Sequence, residues 1–173
     1  MSFASRVTLV VLGLLLSACS TQSSQTDVKL SRTGSWVLLP LVNLAQAPQA
    51  AEGAEQILLR VLAANGLTVT PAPQQQQPAD EFPLEDSQRL QQALQWARQR
   101  GDTYAITGSV EEWPYKSGLD GEPAVGITLR VIEPASGRIL WSASAARAGW
   151  SRESLAGAAQ TVLESLVADL PLQ

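Results

Sequence analysis

Residues 125–146, VGITLRVIEPASGRILWSASAA, decide the fold of this chain. Apolar residues occupy every second position in the first half of the stretch: Val125, Ile127, Leu129 and Val131. This period of two is typical of a strand, and a second strand pattern runs from Arg138 to about Ala146. Between the two patterns, residues 134–137 read Pro-Ala-Ser-Gly, which is the composition of a tight turn. The stretch therefore predicts an antiparallel hairpin.

Three more strands are predicted upstream of the hairpin. Residues 104–110, YAITGSV, alternate like the first hairpin strand. Residues 36–41, WVLLPL, form a continuous apolar run of the kind that is found in strands buried on both faces. Residues 67–69 predict a shorter strand.

Three amphipathic helices are predicted between and after the strands. Their apolar residues recur every three or four positions over residues 51–65, 84–100 and 151–170, with Ser151 as the expected N-cap of the last helix. The resulting order is β-α-β-α-β-β-β-α. This order predicts an α/β domain in which a mixed sheet is flanked by helices.

The beginning of the chain predicts a bacterial lipoprotein signal. Leu16-Ser17-Ala18-Cys19 follows an apolar stretch that starts at Val7, directly after the single cation Arg6. Residues 1–18 would be removed, diacylglycerol would join the Cys19 thiol, and an acyl chain such as palmitate would join its amine. Ser20 stands where an inner-membrane retention signal has aspartate, which favours the outer membrane.

Two other interpretations of this beginning are an ordinary signal peptide with a spare cysteine and a membrane-anchor helix. The apolar stretch is shorter than the roughly 20 residues that a spanning helix needs. Residues 19–35 are rich in Ser, Thr and Gln and predict a lipidated flexible tether with a reach of roughly 20 Å. Residues 36–173 would form a single periplasmic domain.

Composition excludes several classes of function. The formal net charge is −4, and removal of residues 1–18 takes away Arg6 and no acid, leaving −5. Without a basic patch the chain is not expected to bind nucleic acid. It has no histidine, and its one cysteine is the predicted lipidation site, so neither a metal site, nor a cofactor, nor an enzyme is expected.

The acidic residues near the middle of the chain allow two interpretations: Glu111, Glu112, Asp120 and Glu122. Two suitably spaced carboxylates can hydrolyse glycosides, but such clusters are usually solvated surface. Trp150, at the predicted junction between the last strand and the last helix, also has two interpretations. It packs on the following helix as a hydrophobic staple, or it lies at the membrane interface, where indole is favoured.

The sequence is similar to a family of periplasmic lipoproteins. Residues 104–110, 126–133 and 136–142 resemble the core of the TolB amino-terminal domain and CsgG group. Within that group, the signal ending at Cys19, the short loop from Trp113 to Pro123 and the position of Trp150 resemble the PelC family of outer-membrane lipoproteins.

The resemblance implies a function without catalysis. The resemblance implies that the protein would form a ring of twelve copies on the periplasmic face of the outer membrane beside the porin PelB. The ring would guide the cationic Pel exopolysaccharide during export and biofilm formation. Asp120 is the first choice for the ring lining, followed by Glu111, Glu112 and Glu122, and Trp150 would face the membrane. The alternative is a monomeric accessory lipoprotein that does not contact the polymer.

Overall fold

The computed structural model describes residues 23–24, 28–73, 86–115, 122–149 and 153–173. Its elements in chain order are β1 (Ser23–Ser24), β2 (Trp36–Asn43), α1 (Ala50–Ala64), β3 (Val69–Pro71), α2 (Asp86–Arg100), β4 (Tyr104–Glu112), β5 (Ala124–Ile132), β6 (Ile139–Ala148) and α3 (Leu155–Ala168). From Trp36 onward, this is the predicted order. The two-residue strand β1 was not predicted.

The predicted hairpin is confirmed as the β5–β6 pair. The two strands are antiparallel, with Thr128 opposite Ser144 and Val131 opposite Trp141. At the turn, the Gly137 amide donates to the Glu133 carbonyl at 2.8 Å, and Gly137 has a φ of +77°. Glycine adopts this backbone conformation without the steric cost that a side chain brings.

The sheet is mixed, as predicted. Within the described residues it has six strands in the order β1-β6-β5-β4-β2-β3. β2 runs parallel to β3 and β4, whereas β4, β5 and β6 are antiparallel neighbours. The register of β2 against β4 shifts between Leu38 and Leu41, on either side of Pro40. Proline has no amide hydrogen for the ladder, which explains a bulge at this position.

Helices cover the two faces of the sheet unequally. α1 and α3 pack on one face, where Leu58, Leu129 and Leu163 belong to the main core. α2 packs against β2 on the other face, with a smaller core around Leu39 and Ala97. None of the described helices is long and apolar enough to cross a membrane.

The folded part of the chain begins before the predicted boundary at residue 36. Leu30 is fully buried, and its amide donates to the Pro171 carbonyl at 2.9 Å. The Gln173 amide in turn donates to the Leu30 carbonyl at 3.0 Å. Residues 28–35 therefore pack with the domain and do not extend the flexible tether to residue 35 as predicted, because the segment around Leu30 pairs with the last three residues of the chain.

The start of the last helix also differs from the prediction. Helix α3 begins at Leu155, and the Ser154 hydroxyl accepts a hydrogen bond from the Gly157 amide at 3.0 Å. Ser154 is therefore the N-cap, since its side chain satisfies an amide that the first turn leaves without a partner. Ser151, the predicted N-cap, lies outside the described residues.

Candidate functional site

The predicted acidic residues that the structure describes lie at one end of the sheet. Glu111 and Glu112 are the last two residues of β4, and Glu122 comes two residues before β5 begins. Because β4 and β5 are antiparallel neighbours, the end of one lies beside the start of the other, with Glu112 opposite Gly126. We refer to Glu111, Glu112 and Glu122 as the acidic end.

Backbone hydrogen bonds hold the connections at this end in place. The Ala124 amide donates to the Pro114 carbonyl at 2.8 Å, which closes the stem of the β4–β5 loop. The Gly149 amide donates to the Pro123 carbonyl at 2.7 Å, which ties the end of β6 to the same stem. The acidic end is therefore built on fixed strand ends.

Helix α3 is tied to the same end by Tyr115. The Leu155 amide, in the first turn of the helix, donates to the Tyr115 hydroxyl oxygen at 3.2 Å. The side chain of Tyr115 is otherwise well exposed, since the residue keeps 55% of its surface accessible. The aromatic ring thus links the loop to the helix while much of the residue faces water.

The carboxylates of the acidic end face solvent, and few described groups neutralise or hydrogen-bond them. Glu111 and Glu112 are exposed, and Glu122 is partly exposed. The Ser109 hydroxyl donates to Glu111 Oε1 at 2.6 Å, which orients that carboxylate. Among the described residues, none of the three carboxylates forms an ion pair, whereas nearby Glu153 is paired with Arg147 at 3.3 Å. The acidic end therefore presents net negative charge.

An open groove of about 890 Å³ runs from the acidic end along β6 to α3. Glu111 and Glu112 lie at one end, residues 144–148 of β6 along one side, and Thr161 and Ser165 of α3 along the other. Carboxylates and hydroxyls are groups that hydrogen-bond amino and hydroxyl substituents of a sugar chain. The groove thus offers hydrogen-bonding groups, negative charge from Glu111 and Glu112 at one end, and one cation, Arg147, on the β6 side.

Three predicted site residues lie outside the described residues: Cys19, Asp120 and Trp150. In the sequence, Asp120 precedes Glu122 by two residues, and Trp150 directly follows Gly149. Their roles remain predictions. Among the described residues, no group of three or more histidine, cysteine, aspartate or glutamate side chains is placed to hold a metal ion.

A second group of charged residues, which sequence reasoning missed, lies where β2 ends between α1 and α2. Arg89 is 3.1 Å from a carboxylate oxygen of Glu52 and 3.3 Å from one of Asp86. Asp86 also accepts a hydrogen bond from the Asn43 amide at 2.8 Å. These contacts tie both helices to the end of the strand.

Glu55 is the buried member of this group. Only 8% of the residue is exposed, and its Oε1 accepts a hydrogen bond from the Leu41 amide at 2.8 Å, directly after the Pro40 bulge. Burial raises the pKa of the Glu55 carboxyl, while the Leu41 hydrogen bond and Arg89 oppose the increase. One sequence signal was available, because Glu55 lies on the same helical row as Ala51, Leu58 and Leu62.

Comparison with solved structures gives a clear match. PelC from Paraburkholderia phytofirmans, crystallised as a dodecamer, is 31% identical to the chain with a TM-score of 0.73, covering 89% of this chain and 98% of PelC. A variant of that protein, also a dodecamer, matches with the same identity and TM-score and is covered over 99% of its length. The chain belongs to the PelC family. The predicted resemblance is thereby confirmed.

A more distant match shows the fold alone. Lipoprotein GNA1162 from Neisseria meningitidis shares 19% identity with a TM-score of 0.57, over 78% of this chain and 96% of its own. Among protein-family models and curated proteins, none matched the chain. The fold thus occurs in PelC and in at least one other bacterial lipoprotein, and the family assignment depends on the two PelC structures.

Proposed function

We propose that this member of the PelC family is an outer-membrane lipoprotein whose copies form an electronegative ring that guides a cationic polysaccharide to its porin. The observation that carries the proposal is the match to PelC dodecamers at 31% identity over 89% of the chain. By family resemblance, the polysaccharide is Pel and the porin is PelB. The protein has no catalytic role in this proposal.

The lipid anchor would hold the domain close to the membrane. Ser23 and Ser24 pair with Ala143 and Ser142 of β6, so four peptide units separate Cys19 from the first paired residue. A chain of that length spans at most about 14 Å. A lipid on Cys19 would therefore keep β6 nearer to the headgroups than a tether reaching residue 35 would. Several acyl chains on one cysteine give durable anchoring, which a single chain does not.

The acidic residues would act by long-range attraction. Twelve copies with a formal charge of about −5 each would give a ring charge of roughly −60, and charge on the walls of a channel concentrates counter-ions inside it. Glu111, Glu112 and Glu122 supply fixed, unpaired charge at one end of the sheet, and Asp120 adds another carboxylate in the adjoining loop. A cationic polymer would thus be attracted without being bound tightly at one position.

Deletion of the gene tests the proposal. The deletion strain is expected to continue polymer synthesis but to lose polymer from the medium, and the full-length chain supplied in trans is expected to restore secretion. Cell-associated and secreted Pel are measured with the same lectin or antibody. Unchanged secretion in the deletion strain would contradict an export role, whereas loss of synthesis would place the protein at an earlier step.

A further inference from the structure

Three hydroxyl side chains lie side by side across three neighbouring strands. Ser109 of β4 is directly opposite Thr128 of β5, and Thr128 is directly opposite Ser144 of β6. The Thr128 and Ser144 hydroxyls hydrogen-bond each other at 2.8 Å, so the two side chains share one face of the sheet. Because Ile127 and Leu129 belong to the main core, this face is the one turned away from α1 and α3. We call Ser109, Thr128 and Ser144 the hydroxyl row.

The hydroxyl row is accessible from this side of the sheet. Among the described helices, α2 is on this side, and it packs against β2. Ser144 is exposed and Thr128 is partly exposed, whereas Ser109 is buried. An incoming group can therefore reach the row at β5 and β6.

Two carboxylates lie beside the hydroxyl row, on the side of the acidic end. The Ser109 hydroxyl donates to Glu111 Oε1 at 2.6 Å, which places the Glu111 carboxylate next to the row. Glu112 is opposite Gly126, and a Cβ on Gly126 would lie 3.4 Å from the Glu112 Cβ, so the Glu112 side chain is on the same face. Neither carboxylate forms an ion pair with a described residue. Negative charge therefore borders the row on this side.

The charge changes sign on the other side of the row. Arg130 follows Thr128 by two residues on β5, so it points to the same face, and it is exposed. One guanidinium and the two carboxylates of Glu111 and Glu112 give this face a formal charge of −1. A cationic group is therefore favoured on the glutamate side of the row and disfavoured on the Arg130 side.

The hydroxyl row is continuous with the groove along β6. Ser144, Gly126 and Ala146 line the groove, and Ala146 is directly opposite Gly126. Glycine and alanine leave a shallow shelf between Glu112 and the edge of the sheet, where a sugar ring can lie close to the backbone. Neighbouring strands are roughly 4.8 Å apart, about the length of one sugar residue in a glycan chain. A glycan that crosses the strands can therefore meet Thr128 and Ser144 with consecutive sugars.

We infer that the hydroxyl row is a sugar-contact surface of each subunit, which hydrogen-bonds the hydroxyl groups of the passing polysaccharide while Glu111 and Glu112 attract its amino groups. Threonine and serine hydroxyls both donate and accept hydrogen bonds, as sugar hydroxyls do. Such bonds replace bonds to water and add little net affinity, so the polymer can move on. The inference rests on the proposed function and adds to it a preference for polycations that bear hydroxyl groups.

Binding of two short cations to the full-length chain tests the inference. Chitosan tetrasaccharide carries amino groups and hydroxyls, whereas tetralysine carries amino groups without hydroxyls. Both are titrated by calorimetry in a detergent without a sugar headgroup, at a slightly acidic pH where the amino groups of both are charged. Thr128→Val combined with Ser144→Ala is expected to weaken binding of the tetrasaccharide by about fivefold or more and to leave tetralysine binding unchanged, because only hydroxyl contacts are removed.

Two further variants frame this result. Glu111→Gln combined with Glu112→Gln is expected to weaken binding of both cations by about fivefold or more, because charge-assisted contacts are lost in each case. Thr70→Val is the matched control, because Thr70 is an exposed threonine on β3 at the opposite edge of the sheet, and it is expected to bind both cations like the wild type. Circular dichroism checks that each variant is folded. If the Thr128 and Ser144 double variant does not fold, Ser144→Ala alone, at an exposed position, is expected to weaken tetrasaccharide binding by about twofold.

The outcomes separate this inference from guidance by charge. Unchanged tetrasaccharide binding by the folded hydroxyl variant, or an equal loss for both cations, would overturn the hydroxyl row as a sugar contact and leave attraction by the carboxylates intact. The same loss in Thr70→Val would also overturn it. A wild-type chain that binds neither cation would overturn both the sugar contact and guidance by charge.

Discussion

Two substitutions of the buried residue Glu55 are expected to separate the contribution of its hydrogen bond to stability from the contribution of its charge. Glu55→Ala removes the acceptor of the Leu41 amide, which lies 2.8 Å from Oε1 in the native protein. Glu55→Gln keeps an oxygen acceptor of the same reach and removes the charge. The two variants should therefore differ strongly in stability, although both lack the carboxyl.

The magnitude follows from the contacts of the side chain. A buried amide left without an acceptor costs about 1–3 kcal/mol, and truncation leaves a cavity that adds to this cost. Alanine no longer requires a carboxyl group to be buried, and this offsets part of the lost stability. We therefore expect Glu55→Ala to lower the free energy of unfolding by about 2–3 kcal/mol. For a domain of this size the melting temperature falls by roughly 5–10 °C. Glu55→Gln should remain within about 1 kcal/mol of the wild type.

The pH dependence gives the same test a second readout. Since burial raises the pKa of the Glu55 carboxyl, the folded state keeps a proton that the unfolded state releases above about pH 4.3. The wild type therefore loses stability as the pH rises from there through the folded pKa. The Gln variant lacks this loss and should gain stability relative to the wild type as the pH rises above about 4.3.

Thermal unfolding of the full-length chain, followed by circular dichroism at one protein concentration, measures both effects. A fixed concentration is needed because self-association shifts the melting temperature. The reasoning would be refuted if Glu55→Ala melted with the wild type or if Glu55→Gln lost as much as Glu55→Ala.

Three further substitutions, the first with a control variant, test other parts of the account. Leu30→Ala should lower the free energy of unfolding by about 2–5 kcal/mol, because a fully buried leucine is truncated, while Lys29→Ala beside it should lower it little. Equal and small effects in thermal unfolding would indicate that this segment is a flexible tether. Gly108→Ala should abolish soluble folded protein, since the new Cβ would overlap the Thr128 carbonyl of β5, and a folded variant by circular dichroism would refute this. Trp150→Ala should leave the melting temperature unchanged and weaken retention on lipid vesicles, whereas a loss of about 3–5 kcal/mol would identify a buried staple.

The hairpin and the helices could be predicted because local patterns determine them. The alternating apolar residues of β5 and the Pro-Ala-Ser-Gly turn specify an antiparallel pair without help from distant residues. The apolar stripe of α3 likewise requires one buried face. The acidic end could be predicted in part, since Glu111 and Glu112 directly follow the strand predicted over residues 104–110.

Features that depend on distant contacts could not be predicted. Leu30 and Val28 are the only aliphatic residues of a polar stretch, and the burial of Leu30 depends on pairing with the last residues of the chain. Glu55 lies on the apolar row of α1, but its hydrogen-bond partner could not be predicted, because the Leu41 amide reaches it only through the tertiary packing beside the Pro40 bulge.

Secretion by a variant that lacks the proposed guiding charge tests the central claim most directly. Glu111→Gln, Glu112→Gln, Asp120→Asn and Glu122→Gln are combined in the full-length chain, with Glu133→Gln at the opposite end of the sheet as the control. Secreted Pel is expected to fall by about tenfold or more while the variant keeps the native mass of the wild type, because the attraction that concentrates the cationic polymer is removed. Undiminished secretion by that assembled variant would contradict guidance by charge.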